Sequence, residues 1–154
     1  MSKRKRTIEE FFSRYESNFN AAINGDASKA SDAVQPFFAD CFVGSSVTGV
    51  RCSQNNDKFV DMIRQGFEFY RNIGTTGMTI TSKDISMLDD QHAFAKIYWH
   101  YMYNKDGREG SIDFHTIYML TTVNGEPRIF AYITGDEQKV LKEHGLVMEE
   151  TEAS

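Results

Sequence analysis

Cysteine is almost missing from this chain: Cys41 and Cys52 are the only two among 154 residues, and no CxxC spacing occurs. That argues against a disulfide framework and against a thiol-ligated metal centre. Each thiol reads instead as an inert, half-buried side chain. With no secretory leader to be read, a reducing cytoplasm is the expected compartment. No apolar run approaches the ~20 residues that a bilayer-spanning helix needs, so no membrane partner is expected. Gly-rich phosphate loops, a nucleophile elbow and an HExxH motif are all missing. The four histidines, His92, His100, His115 and His144, show no metal-ligand spacing, so neither a metal nor a cofactor is expected.

What remains is an ordinary globular composition, with 40% hydrophobic and 25% charged residues. A single domain of this length buries about two-thirds of its unfolded surface and folds without metals or disulfides. The net charge of -5 conceals an asymmetry. Four of the 17 basic residues are Lys3, Arg4, Lys5 and Arg6, leaving 13 on a body that carries 22 acidic ones. A short basic cluster on an acidic body reads as a solvated arm rather than a nucleic-acid footprint. The expected organisation is a disordered basic arm over 1–6, one domain over 7–145 and a disordered acidic tail over 146–154, where Glu149, Glu150 and Glu152 sit.

Thr7 and Glu10 have capping-box spacing, and Ile8, Phe11, Phe12, Tyr15, Phe19, Ala22 and Ile23 recur at helical intervals up to Asn24-Gly25. Asp26 or Ser28 caps a short second helix running to about Val34, ahead of Pro36. Residues 41–50 are β-prone and interrupted by Gly44 and Gly49, which predicts an irregular hairpin. Asn55 or Asn56 opens a third helix whose apolar stripe runs from Phe59 through Met62, Ile63, Phe67 and Tyr70 to Ile73. Four strands follow, over about 78–88, 92–103, 110–123 and 128–134, and Gly135-Asp136 begins a last short helix.

Three helices followed by an antiparallel meander, an Asn-Gly-Asp ending at 24–26, and Phe38-Ala39-Asp40 ahead of a broken hairpin resemble the nuclear transport factor 2-like superfamily. That superfamily includes ketosteroid isomerase, scytalone dehydratase and the SnoaL-like polyketide cyclases. Over about residues 8–136 the resemblance implies an α+β, cystatin-like cone. In such a cone the N-terminal helices pack on a strongly curved, mostly antiparallel sheet that encloses a pocket, usually within a dimer. Asp40 resembles the family's structural aspartate, whose carboxylate binds backbone amides. The isomerase's proton-moving acid has no counterpart here, because residues 42–50 contain neither an acid nor a histidine.

Strand registers decide which side chains enter the pocket. A two-residue turn at Asn124-Gly125 pairs Val123 with Glu126 and Ile117 with Tyr132. For the preceding hairpin, a five-residue loop pairs Tyr103 with Glu109 and sets Trp99 opposite Asp113. A four-residue loop would bring Lys96 and Tyr98 onto the His115 face instead. The first register is preferred because it keeps an ammonium group out of the interior.

The pocket face then carries His115, Asp113 and Tyr132 as candidate catalytic groups. Tyr15, Ile97, Trp99, Tyr101, Ile117, Met119 and Phe130 are the candidate ligand contacts. His115 would serve as general acid/base, Asp113 would orient it, and Tyr132 or Tyr101 would stabilise an oxyanion. The opposite face would expose Phe94, Tyr98, Met102, Phe114, Tyr118 and Leu120. A second copy of the chain, or partial cover by the last helix, would shield it. Three functions follow: a cofactor-independent isomerase, dehydratase or cyclase acting on a small apolar organic substrate; a non-catalytic binder of such a molecule; or a protein-binding adaptor.

Overall fold

The computed structural model describes residues 2–25 and 30–147. Helix α1 (Lys3–Asn24) is followed by α2 (Ala30–Val34) and a single 3-10 turn at Gln35–Phe37. The hairpin β1 (Phe38–Ser46) and β2 (Gly49–Gln54) comes next, then α3 (Asp57–Asn72). The meander β3 (Thr75–Met87), β4 (His92–Lys105), β5 (Arg108–Val123) and β6 (Glu126–Ile133) leads into α4 (Glu137–Glu143). All six strands form one sheet in the order β2-β1-β6-β5-β4-β3, antiparallel except where β1 lies parallel to β6.

The basic cluster is the first turn of α1 rather than a disordered arm. Ser2 caps that turn by accepting from the Lys5 amide, while Thr7 donates its hydroxyl back to the Lys3 carbonyl and so does not cap. Arg4 ties the turn to the β3–β4 connection by donating to the Asp89 carbonyl. The expected caps of α2 and the end of the acidic tail, 148–154, lie outside the described residues. Leu146, at the start of that expected tail, is buried.

Side chains of α1 occupy the open edge of β3. Asn20 donates to the Met78 carbonyl and accepts from the Met78 amide, both at 2.8 Å, and Glu16 accepts from the Ile80 amide. At Met78 and Ile80 the edge strand's backbone groups are thereby unavailable as a template for another chain. Asn55 does the comparable work at the start of β1, donating to the Gln35 and Phe38 carbonyls. Asp40, expected to bind backbone amides here, is exposed, and its carboxylate makes no hydrogen bond among the described residues.

Both meander turns that matter are two-residue turns with positive φ at each centre: Asp106 (55°) and Gly107 (83°), then Asn124 (54°) and Gly125 (78°). The first pairs Lys105 with Arg108 and hence Trp99 with Phe114, Tyr98 with His115 and His100 with Asp113. This is one residue from the preferred five-residue-loop register, and a one-residue slip turns every side chain of a strand to the other face. On β5 Ile112, Thr116, Tyr118 and Leu120 are therefore buried on the inner face, with Phe114 on the same side but 38% exposed, and Asp113, His115, Ile117 and Met119 face outward. The β5–β6 register holds as expected from Val123–Glu126 to Leu120–Ile129. A bulge at Phe130 then shifts it by one, so that Tyr118 opposes Tyr132 and Ile117 opposes Ile133. Further bulges in β3 add to the bending that curls the sheet around α1 and α3.

Candidate functional site

The concave side of the curled sheet and the facing sides of α1 and α3 enclose a cavity of about 570 Å³. Its floor is aromatic for a sequence reason: α1 and α3 supply Tyr15, Phe19, Phe67 and Tyr70 from their apolar stripes, and β4 supplies Trp99 and Tyr101 by alternation. Tyr118 on β5 and Tyr132 on β6 complete the wall. Tyr15 stands at the junction, with ring centroids 6.1 Å from Trp99, 6.4 Å from Tyr118 and 5.2 Å from Phe37.

Polar ends of these rings gather around the Tyr118 hydroxyl. Burial pushes that phenol up to about 12, while hydrogen bonding with Thr116, Trp99 and Tyr15 pulls the other way. Burial also raises Tyr15 well above the usual phenol range, with the neighbouring Tyr118 and Tyr132 adding to the shift. All of them are neutral near pH 7, able to donate a hydrogen bond but not to act as bases. Elsewhere the hydroxyls are engaged: Tyr101 shares a 2.5 Å hydrogen bond with Thr75, and Tyr70 donates to Glu137 Oε1 at 2.5 Å.

The cavity opens where β5 outruns β6. Residues 112–116 have no strand beside them on that side, because β6 pairs with β5 only from Ile117 onward. The gap is bordered by Thr134, Gly135, Asp136 and Glu137, which lead into α4. Asp136 caps α4 by accepting from the Lys139 amide, and Val140 and Leu141 turn toward the cavity.

Of the residues expected at the site, Tyr15, Trp99, Tyr101 and Tyr132 line this cavity. Ile97 is fully buried on the inner face but does not border the space. The other assignments are corrected. Ile117, Met119 and Phe130 lie on the outer face, half-buried. Phe130 sits in the bulge, with its ring 5.9 Å from His92. Asp113 and His115 belong to the outer face as well and reach the cavity only at its rim. Asp113 accepts from His100 Nδ1 at 2.6 Å, and the His115 ring lies 5.8 Å from Tyr98. The placing of Phe114, Tyr118 and Leu120 outside is reversed for the same reason. Lys96, whose burial the preferred register was chosen to avoid, is also outside, with its ammonium 5.3 Å from the Tyr98 ring centroid.

Sequence reasoning missed Tyr118, Thr116, Tyr70 and Glu137 as cavity groups. The Asp106-Gly107 dipeptide held the signal for the first two, since it is as strong a turn former as Asn124-Gly125. Tyr70 was visible on the α3 stripe, but its partner Glu137 is 67 residues away. Among the described residues, no group of three or more His, Cys, Asp or Glu side chains is placed to hold a metal ion, and no helix is long and apolar enough to cross a membrane.

A helical cone on a curled sheet with an aromatic interior defines the class, and comparison with known proteins gives the family. Residues 4–137 match the family described as NTF2-like protein (DUF6841), and the chain belongs to it. Solved structures share the fold at low identity. An NTF2-like protein with a cystatin-like fold from Novosphingobium aromaticivorans superposes with a TM-score of 0.67 at 14% identity, over 96% of this chain and 90% of that one. A ketosteroid isomerase-like protein from Erwinia carotovora atroseptica gives 0.66 at 16% identity, over 88% and 97%. An NTF-2 like protein of unknown function from Shewanella oneidensis MR-1 gives 0.64 at 16% identity, over 86% and 98%. No curated protein matches the chain.

Proposed function

We propose that this chain binds one small, largely apolar organic molecule bearing a hydrogen-bond-accepting oxygen. The observation that carries this reading is an aromatic cavity of about 570 Å³ whose lining includes Trp99, Thr116, Tyr15 and Tyr118, with the last two ring centroids 6.4 Å apart. Ligand sites are commonly enclosed apolar spaces of this size with a few fixed polar groups. Neutral phenol and indole donors in an apolar-walled cavity suit a carbonyl or hydroxyl oxygen.

Binding rather than acid/base turnover is favoured by the position of the titratable side chains. The histidine and aspartate expected to move protons lie on the outer face and reach the cavity only at its rim, Glu137 stands at the mouth, and the phenols inside are too weakly acidic to exchange protons near pH 7. Isothermal titration against a panel of neutral ketones, lactones and phenols tests the reading. Tyr118→Phe should weaken a captured ketone by about 2- to 12-fold, the loss of one neutral hydrogen bond of roughly 0.5–1.5 kcal/mol. His115→Asn should leave affinity unchanged. A panel with no binder, or a ligand lost with His115 and indifferent to Tyr118, overturns the reading.

The outer face of the sheet supports a homodimer. Phe94, Tyr98 and Met102 of β4 stand beside Ile117 and Met119 of β5, Ile133 of β6 and Val43 of β1, with Ile133 51% and Val43 38% exposed. The helices α1 and α3 lie on the concave side, so a second copy of the same face is the natural cover. Sedimentation equilibrium should give twice the chain mass, and Ile117→Glu should give monomer. A monomeric wild-type protein at micromolar concentration refutes the dimer.

A further inference from the structure

The charged groups around the cavity mouth are of one kind. Glu137, Asp136 and Asp113 border the space, and among the described residues no Lys or Arg does. Two of these carboxylates are already engaged: Asp113 with His100 at 2.6 Å, and Asp136 with the Lys139 amide at 3.1 Å. Glu137 differs. It has no cationic partner among the described residues, and its Oε1 is fixed at 2.5 Å by the Tyr70 hydroxyl, which leaves Oε2 uncommitted. Its charge is felt inside the cavity, where it opposes ionisation of Tyr70 and of Tyr101. Those two rings lie with centroids 6.3 Å apart just inward of the carboxylate.

A carboxylate held by the Tyr70 hydroxyl at the mouth of an aromatic cavity, with no cationic partner among the described residues, fits a protonated amine. The carboxylate accepts a charge-assisted hydrogen bond, and the rings attract the same charge through their quadrupoles. An anionic ligand would meet Asp113, Asp136 and Glu137 at the mouth, with imidazoles alone to offset them, His115 on the lining and His100 on Asp113. Resting on the small-molecule reading above, we infer that the ligand is an amphiphilic amine: an apolar body in the aromatic cavity, an accepting oxygen or π-face toward Tyr118, and an ammonium at the mouth on Glu137. The mouth thus sets charge selectivity, while the interior sets fit.

Matched triads test this. Arylalkyl amines with one to three rings, for example tryptamine, are titrated calorimetrically beside their primary amide and carboxylate analogues, such as indole-3-propionamide and indole-3-propionic acid. The amine should bind about tenfold more tightly than the amide, and the carboxylate should bind weakest. Glu137→Gln should equalise amine and amide without changing the amide's affinity. Tyr70→Phe keeps the ring but releases the carboxylate, and should remove part of the preference. Glu137 is exposed at the first turn of a helix, so its glutamine variant should fold; a thermal melt of each variant checks this. If amides bind and amines gain nothing, the amine inference falls and the small-molecule reading stands. If Glu137→Gln leaves the amine preference intact, Glu137 is not its source and the inference also falls. If no member of any triad binds, the amine inference falls, and the ketone, lactone and phenol panel decides the small-molecule reading.

Discussion

Gly44 offers a direct test of how tightly the cavity wall is built. It lies on β1 beside Tyr132 of the parallel strand β6, and a Cβ at this position would stand 2.5 Å from the ring Cζ and 2.6 Å from Oη. Carbon atoms approach comfortably only to about 3.5 Å, so Gly44→Ala must displace the ring by roughly 1 Å. Overpacking of this kind typically costs about 1–3 kcal/mol. Here the ring borders empty space and can swing into it, which places the cost at the lower end. The loss of glycine's freedom in the unfolded chain offsets about 0.4–1 kcal/mol. The net destabilisation should be about 0.5–2 kcal/mol, lowering Tm by about 1–8 °C for a chain of this size. Thermal and urea unfolding of Gly44→Ala, Tyr132→Leu and the double variant form a cycle that isolates the contact. In the Tyr132→Leu background the alanine should be neutral or stabilising, because the clashing ring is gone. An equal cost in both backgrounds would show that the strain lies in the β1 backbone and that the wall is not limited by this glycine. The displaced ring also narrows the cavity, so a bulky ligand should bind Gly44→Ala more weakly than a small one.

Gly107→Ala should destabilise by about 1–2 kcal/mol through backbone strain alone, since its φ is 83° and an added Cβ meets nothing within 4 Å. By contrast Gly66→Ala, in the interior of α3 and equally free of neighbours, should stabilise by about 0.5–1 kcal/mol in the same urea titration. The buried phenols predict alkaline lability. Tyr15, Tyr70 and Tyr118 hold their protons in the folded state above the pH at which the unfolded chain, near 10, releases them. The folded state then binds more protons than the unfolded one, so stability is intact below that value and falls as pH rises through it. Tyrosinate absorbance and the unfolding transition should coincide for these residues. Ionisation of all seven tyrosines without loss of structure would contradict the burial.

Much of this architecture was legible in the sequence because it rests on local chemistry. The α3 stripe and its Asn56 cap, the Asn124-Gly125 turn and the Asp136 cap each require only neighbours in the chain. The inward alternation of Ile97, Trp99 and Tyr101 followed from the same pattern. The candidate site was less legible, for two physical reasons. Period-two alternation fixes which residues of one strand share a face, but the joining turn decides which face of the next strand they meet. At 104–108 the five- and four-residue loops both overlook the two-residue Asp106-Gly107 turn that sets the register, and His115 and Tyr118 exchange faces. The Phe130 bulge then separated Tyr132 from Ile117, and nothing in the local composition of β6 announces it. The Tyr70–Glu137 contact depends on how α4 returns across the open end of the sheet, a tertiary fact with no short-range cause.

The parallel contact between β1 and β6 sets the order in which the molecule can be made. β6 is the last strand among the described residues yet occupies the middle of the sheet, between β1 and β5. Until it emerges from the ribosome, the β1–β2 hairpin and the β3–β5 meander are two separate half-sheets with unpaired edges, each a hazard for wrong association. Insertion of one late strand joins them and encloses the interior in the same event. Closure of the sheet, formation of the cavity and removal of the unpaired edges between β1 and β5 are therefore a single step for this fold.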